Sequence, residues 1–184
     1  MIEMKDITNN ENLKSIFSGT IIENDHIEYY KIVEDIITSD AVLSMKDFTQ
    51  HGSTTCYQHC INVSYNSYKL AKKLNFDARS TARAGLLHDL FLYDWHKVPV
   101  RQPLFKKHGF THSTTALKNA SKNFELNRIE KDIIEKHMWP LTFLKVPKYR
   151  ESFLVMIVDK YCSTMETFEP LAKYSEAKSK KEIL

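Results

Sequence analysis

The segment Leu86-Leu87-His88-Asp89-Leu90-Phe91 restricts the fold more than any other stretch of the chain, because it sets a His-Asp pair among four side chains that belong in an interior. Those apolar neighbours carry His88 and Asp89 inward or to a cleft floor, where a carboxylate without a partner is expensive. Something must offset that cost. Four more residues of metal-ligating type, His59, His112, His137 and Asp159, stand in other apolar or helix-edge contexts. The order is His, His-Asp, His, His, Asp, distributed over five predicted helices.

With 42% hydrophobic residues and only 4 glycines in 184, the chain lacks the turn-rich composition of a β-sandwich and carries long periodic segments instead, so an all-α fold is expected. The length suits one domain with a real core. We divide it into an N-terminal helical segment over 1–50 packed on the core, a core domain over 51–168, and a polar tail over 169–184. The net charge is +3 with a pI near 8.6, and the basic residues are scattered among acids rather than drawn into a stripe, which argues against nucleic acid as a partner. The densest basic run, Lys178 to Lys181, reads as part of a solvated end. Acids enter at once in Met1-Ile2-Glu3-Met4-Lys5-Asp6 with no apolar stretch behind them, so neither a signal peptide nor a membrane helix is expected, and the cytoplasm is the expected location. Cys56, Cys60 and Cys162 are odd in number and lack a Cys-x-x-Cys spacing, so they read as core residues rather than as a disulfide or a thiolate zinc site.

Taken in order, a short helix is expected over Glu11 to Phe17, one from His26 to Thr38 and another over Ala41 to Phe48, all packing outside the core bundle. The break at Gly52-Ser53-Thr54 caps a helix whose stripe is Cys56, Cys60, Val63, Ser67, Leu70 and Leu74, with His59 at its edge. Asn75-Phe76-Asp77 closes it and caps the next, which ends in His88 and Asp89, and Gly85 would permit close approach of a neighbouring backbone. Tyr93 to Gly109 reads as a long loop. Thr111 is expected to cap a helix starting at His112, and Asn127 to cap one over Arg128 to Met138 that carries His137 and stops before Pro140. The run Phe153 to Val158 in a helix over Arg150 to Phe168 is apolar on nearly all sides, which predicts the central helix of the bundle, with Asp159 directly after it. Read singly, any of these histidines, and His26, His51, His96 and His108 with them, is a satisfied core or surface residue; the joint pattern is what points to a metal.

That pattern resembles the HD-domain superfamily of metal-dependent phosphohydrolases over roughly His51 to Phe168. The resemblance implies an HD-domain helical bundle with extra N-terminal helices. It implies that His59, His88, Asp89 and Asp159 bind one ion, with Asp89 also the catalytic, bridging carboxylate. His112, in Gly109-Phe110-Thr111-His112, and His137, in His137-Met138-Trp139-Pro140, resemble the added histidines of the dinuclear subfamilies and would serve a second ion. Imidazole and carboxylate without thiolate suit one or two divalent ions of Mn, Fe, Co, Ni or Zn rather than a pure Mg or Ca site. Two such ions could lower the pKa of a bound water, so that a hydroxide attacks a phosphoryl group, and clamp its oxygens. The implied activity is therefore a phosphomonoesterase or phosphodiesterase acting by water attack on a nucleotide or other small phosphate ester.

The chain departs from many members in having Leu92 and Tyr93, three and four positions after the pair, where they carry Lys or Glu. Asp94, His96 or Lys97 could substitute, and Asp94, Trp95, His96 and Lys97 are the expected substrate contacts, Trp95 stacking on a base and His96 and Lys97 meeting phosphate. No Gly-Tyr-Pro extension is present, which lowers cyclic dinucleotides as substrates. The rival reading is a non-catalytic nucleotide-sensing or interaction module on the same scaffold; purely structural histidines and a mixed-valent iron oxygenase are the weaker alternatives. Oligomeric state is not legible.

Overall fold

A computed structural model of the chain describes residues 10–18, 21–97, 103 and 107–182, with the side chains of 51, 96 and 169–182 excepted. The fold is all-α. Helix α1 (Glu11–Ile16) is capped by the Asn10 side chain, which accepts from the amides of Asn12 and Leu13. It is followed by α2 (Asn24–Ile37), α3 (Asp40–Leu43) and a 3₁₀ turn over Ser44–Asp47. A small antiparallel hairpin, β1 (Thr49–His51) with β2 (Thr54–Thr55), turns at Gly52 in the left-handed region (φ 56°). Then come α4 (Cys56–Lys73), α5 (Ala78–Leu87), a 3₁₀ turn over Trp95–Lys97, α6 (His108–Asn123), α7 (Arg128–Lys136) and α8 (Arg150–Glu182). Among the described residues no helix is long and apolar enough to cross a membrane.

The capping signals work as local chemistry dictates. Asp77 accepts from Ser80 N–H to start α5 and Asn127 with Glu130 forms a reciprocal capping box at α7, both as expected, whereas α4 is capped not within Gly52-Ser53-Thr54 but by Thr55, which accepts from Gln58 N–H. The centre of the molecule is the α4–α5 pair. A Cβ added at Gly85 would lie 2.9 Å from the Ser64 Cα, so these two helices touch backbone to backbone, as the Gly85 reading anticipates. Ser64 fastens the contact by donating to the Ala82 carbonyl at 2.6 Å and accepting from the Tyr29 hydroxyl at 2.9 Å.

Four expectations need correction. First, the N-terminal helices do not lie outside the core: Tyr29, Tyr30, Val33, Ile36 and Ile37 of α2 are buried in the same cluster as Leu86, Leu87 and Leu90. Arg83 ties α5 to α2 through the Asp35 carboxylate at 2.7 Å. Second, α8 is not the central helix. Phe153 is 37% exposed and Ile157, Tyr161, Met165 and Phe168 are 55–61% exposed, whereas its inward face includes Glu151, Ser152, Asp159 and Glu166. Third, α6 begins at His108 and not at His112. Thr111 sits inside the helix, donating its hydroxyl to the Lys107 carbonyl, and Gly109 lets the first turn pass Leu141, whose Cδ2 would be 3.2 Å from an added Cβ. His112 is therefore one turn into the helix. Fourth, α8 runs past Phe168, through Glu182.

Candidate metal centre

Five elements aim six side chains at one buried point. His59 stands in the first turn of α4, His88 caps the C-terminus of α5 with Asp89 after it, His112 comes from α6, His137 caps α7 and Asp159 comes from α8. All six are buried, at 0–5% exposure. After Asp89 the chain must leave α5 sharply, and Leu92 does this with a left-handed φ of 56°, a conformation of order 1 kcal/mol or more for a residue with a Cβ.

The two oxygens of Asp89 face different groups. Oδ2 lies 3.4 Å from His88 Nε2 and 3.9 Å from His59 Nε2, and it accepts from Gln50 Nε2 at 2.5 Å. Oδ1 lies 3.3 Å from His112 Nε2 and 3.5 Å from His137 Nε2. Asp159 completes the first group, with Oδ1 3.2 Å from His59 Nε2 and 3.7 Å from His88 Nε2. Lys160 donates to Asp159 Oδ2 at 2.6 Å and Ser163 donates to Oδ1 at 3.2 Å.

The outward nitrogen of every ring is already engaged. Nδ1 of His88, His112 and His137 meets the carbonyls of Gly85, His108 and Ile134 at 2.8, 2.8 and 2.9 Å, and Nδ1 of His59 meets Glu166 Oε2 at 2.8 Å. Carbonyls and carboxylates only accept, so each Nδ1 carries a proton and each ring, when neutral, turns the Nε2 lone pair inward. The 2.9 Å approach of His112 Nε2 to His137 Nε2 then sets two lone pairs face to face. His88 Nε2 and Asp89 Oδ1 are buried without a hydrogen-bond partner. Inward lone pairs and anionic oxygens together are repulsive unless a cation joins them, and three overlapping groups of these residues have ligand atoms within 4.8 Å of one another. The donor set fits divalent transition metals.

Protonation supplies the positive charge when metal does not. Burial depresses the His59 imidazole, but hydrogen bonds to the Asp159 and Glu166 carboxylates outweigh it and hold it up at about 9. His88 is likewise held well above the usual imidazole range, burial being overcome by the Asp89 charge. Burial pushes His137 down to about 4, with Asp89 opposing and the charges of His88 and His112 assisting. Asp89 and Asp159 both lie well below the usual carboxyl range despite burial, pulled there chiefly by His88 in one case and His59 in the other.

A cavity of about 270 Å³ opens onto this cluster, lined by Gln50, Asp89, Trp95, His108, Gly109, His112, His137, Met138, Asp159, Lys160 and Ser163. Of the three expected substrate contacts whose side chains are described, Asp94, Trp95 and Lys97, Trp95 alone lines it. Its ring stacks on His108 at 5.2 Å, and His108 stacks on His112 at 4.5 Å. Asp94 and Lys97 pair with each other at 3.1 Å, Lys97 being 85% exposed, and the His96 side chain lies outside the described residues. Sequence reasoning missed Gln50, His108, Lys160 and Glu166. Nothing local sets His108 apart from the other histidines, whereas Glu166 is reachable from its i+7 spacing to Asp159, which returns to the same helix face.

A helical bundle with imidazoles and carboxylates converging on one buried point has, as a class, a donor set that could hold a metal ion. The chain belongs to the HD-domain family, whose model matches residues 56–164. No curated protein and no solved structure gives a significant match. Family membership and the cluster together point to the superfamily of metal-dependent phosphohydrolases.

Proposed function

We propose that the protein is a metal-dependent phosphohydrolase of the HD type acting on a nucleotide or other small phosphate ester. The observation that carries this reading is the two-faced Asp89, with Oδ2 toward His59 and His88 and Oδ1 toward His112 and His137. His59, His88, Asp89 and Asp159 would hold one divalent transition-metal ion, and His112 and His137, sharing Asp89, a second. When bound, such ions supply Lewis-acid stabilisation of phosphoryl oxygens and a water of lowered pKa.

The chain's own residues prepare the rest of the site. Lys160 places an ammonium at the cavity lip, where it offsets the negative charge of an entering phosphate. Trp95 and His108 form an aromatic wall. A cavity of about 270 Å³ falls below the roughly 300–1,000 Å³ of pockets that engulf drug-sized ligands, so it suits a phosphoryl group and its near substituent rather than a whole dinucleotide. The test is metal-stimulated phosphate release from a panel of nucleotides and aryl phosphates. Activity should fall by about a thousandfold or more in Asp89→Ala, the scale of several kcal/mol of lost Lewis-acid stabilisation. Full activity in the repurified variant would defeat the assignment.

One observation favours a second reading, a non-catalytic sensing module: Leu92 cannot move a proton, and the Tyr93 hydroxyl is tied to His108 Nδ1 at 2.9 Å. That reading predicts thermal stabilisation by a nucleotide without product formation.

A further inference from the structure

Three of the four imidazoles in the cluster are oriented by main-chain carbonyls three or four residues earlier in sequence, and those cannot be altered by substitution. His59 is the exception. Its Nδ1 donates to Glu166 Oε2 at 2.8 Å, a carboxylate 107 positions away on α8. Glu166 is itself 7% exposed, and its other oxygen accepts from Asn62 Nδ2 at 2.8 Å. Asn62 stands three residues after His59 on α4, so one carboxylate is clamped between two side chains of the same helix. Glu166 also lies beyond the 56–164 segment that the HD-domain family shares.

We infer that Glu166 is the positioning residue of the metal centre: it fixes the His59 ring and its Nδ1–H tautomer, so that Nε2 turns its lone pair toward Asp89 and Asp159, where a cation would sit. The inference rests on the reading of the cluster as a metal site. A carboxylate behind an imidazole raises the basicity of the opposite nitrogen, and loss of such a partner typically costs about 10- to 100-fold in metal affinity. The effect falls on one side, because Nδ1 of His112 and of His137 meets the carbonyls of His108 and Ile134 instead.

The other side of the Glu166 carboxylate makes the inference testable by rescue. With Asn62, Asn66, Tyr161, Cys162, Met165 and Phe168 it walls a groove of about 540 Å³ on α4 and α8. Truncating Glu166 would open the space behind His59 to that groove, so a small carboxylate from solution could take the missing place.

The experiment is a Co²⁺ titration followed by visible absorption and calorimetry on the full chain, comparing the parent with Glu166→Ala, Glu166→Gln and Asp89→Ala, each checked by circular dichroism. Glu166→Ala should weaken one of two ions by about 10- to 100-fold and leave the other unchanged. Glu166→Gln, whose amide oxygen can still accept from Nδ1–H, should recover most of that loss, and formate should restore affinity in Glu166→Ala while leaving the parent unaffected. If Glu166→Ala does not fold, Glu166→Gln against the parent carries the test, with a several-fold weakening of the same ion expected. Parent-like affinity for both ions in folded Glu166→Ala, or in Glu166→Gln where Glu166→Ala does not fold, would overturn the inference while the Asp89→Ala loss stands. A parent that binds no Co²⁺ would instead overturn the metal-site reading beneath it.

Discussion

The two sides of Asp89 are built differently. On its Oδ2 side His59 is held by Glu166 from 107 positions away on α8 and Asp159 by the side chains of its own helix neighbours Lys160 and Ser163, whereas His112 and His137, on its Oδ1 side, hang from carbonyls of their own helices. The first side depends on α4 and α8 being docked, and the second on two helix ends being well formed. Electrostatics follow the same division, with the His59 imidazole held up at about 9 and that of His137 pushed down to about 4. One side accumulates positive charge without metal, and the other keeps a neutral ring.

The largest way to break the contrast is to remove one ligand from each side. His59→Ala should release one ion and His137→Ala the other, each losing at least about a hundredfold in affinity for its own ion, since partners behind a ligand alone are worth 10- to 100-fold. Separate calorimetric isotherms check this, and loss of both ions from either variant would erase the division.

Next in size is the pH dependence of the metal-free protein. His59 has a folded pKa above the ordinary 6.5, so its contribution is complete below pH 6.5 and is lost as pH rises through about 9. His137 has a folded pKa below 6.5, so its contribution is complete above pH 6.5 and is lost as pH falls toward about 4. In melting curves recorded across pH, His59→Gln should flatten the alkaline limb and His137→Gln the acid limb. Metal should abolish the alkaline fall, because a cation replaces the proton.

Gly85→Ala tests the frame beneath both sides. A methyl 2.9 Å from the Ser64 Cα must push α4 and α5 apart, and about 1–3 kcal/mol of stability should be lost in denaturant unfolding. Smallest is the rim. Lys97 is 85% exposed and paired only with Asp94 among the described residues, so Lys97→Ala should change KM by less than about twofold, in keeping with the small worth of solvated ion pairs. Lys160→Ala, at the cavity lip, should raise KM more.

Much of this was legible in the sequence. The six converging side chains were all named from their residue types and context, and the caps at Asp77 and Asn127 from local chemistry that needs no tertiary partner. What failed was inference from apolarity. Helix α8 has an apolar run and yet turns Glu151, Ser152, Asp159 and Glu166 inward, because these satisfy Asp77 N–H, Asp132, Lys160 and His59. A helix that builds a polar site presents its polar face to the core, so hydrophobicity points to the wrong side. Gln50 was out of reach for another reason. It stands on a three-residue strand, and nothing local to the sequence signals that its amide meets a carboxylate 39 positions away.

The central claim is that one carboxylate joins two cation sites, and metal content per chain by plasma mass spectrometry tests it most directly, on protein purified without chelator and reconstituted with Mn, Fe, Co or Zn. The account predicts close to two ions per chain in the parent and a clear loss of both in Asp89→Ala. No bound ion in the reconstituted parent, or an undiminished pair in Asp89→Ala, would contradict it.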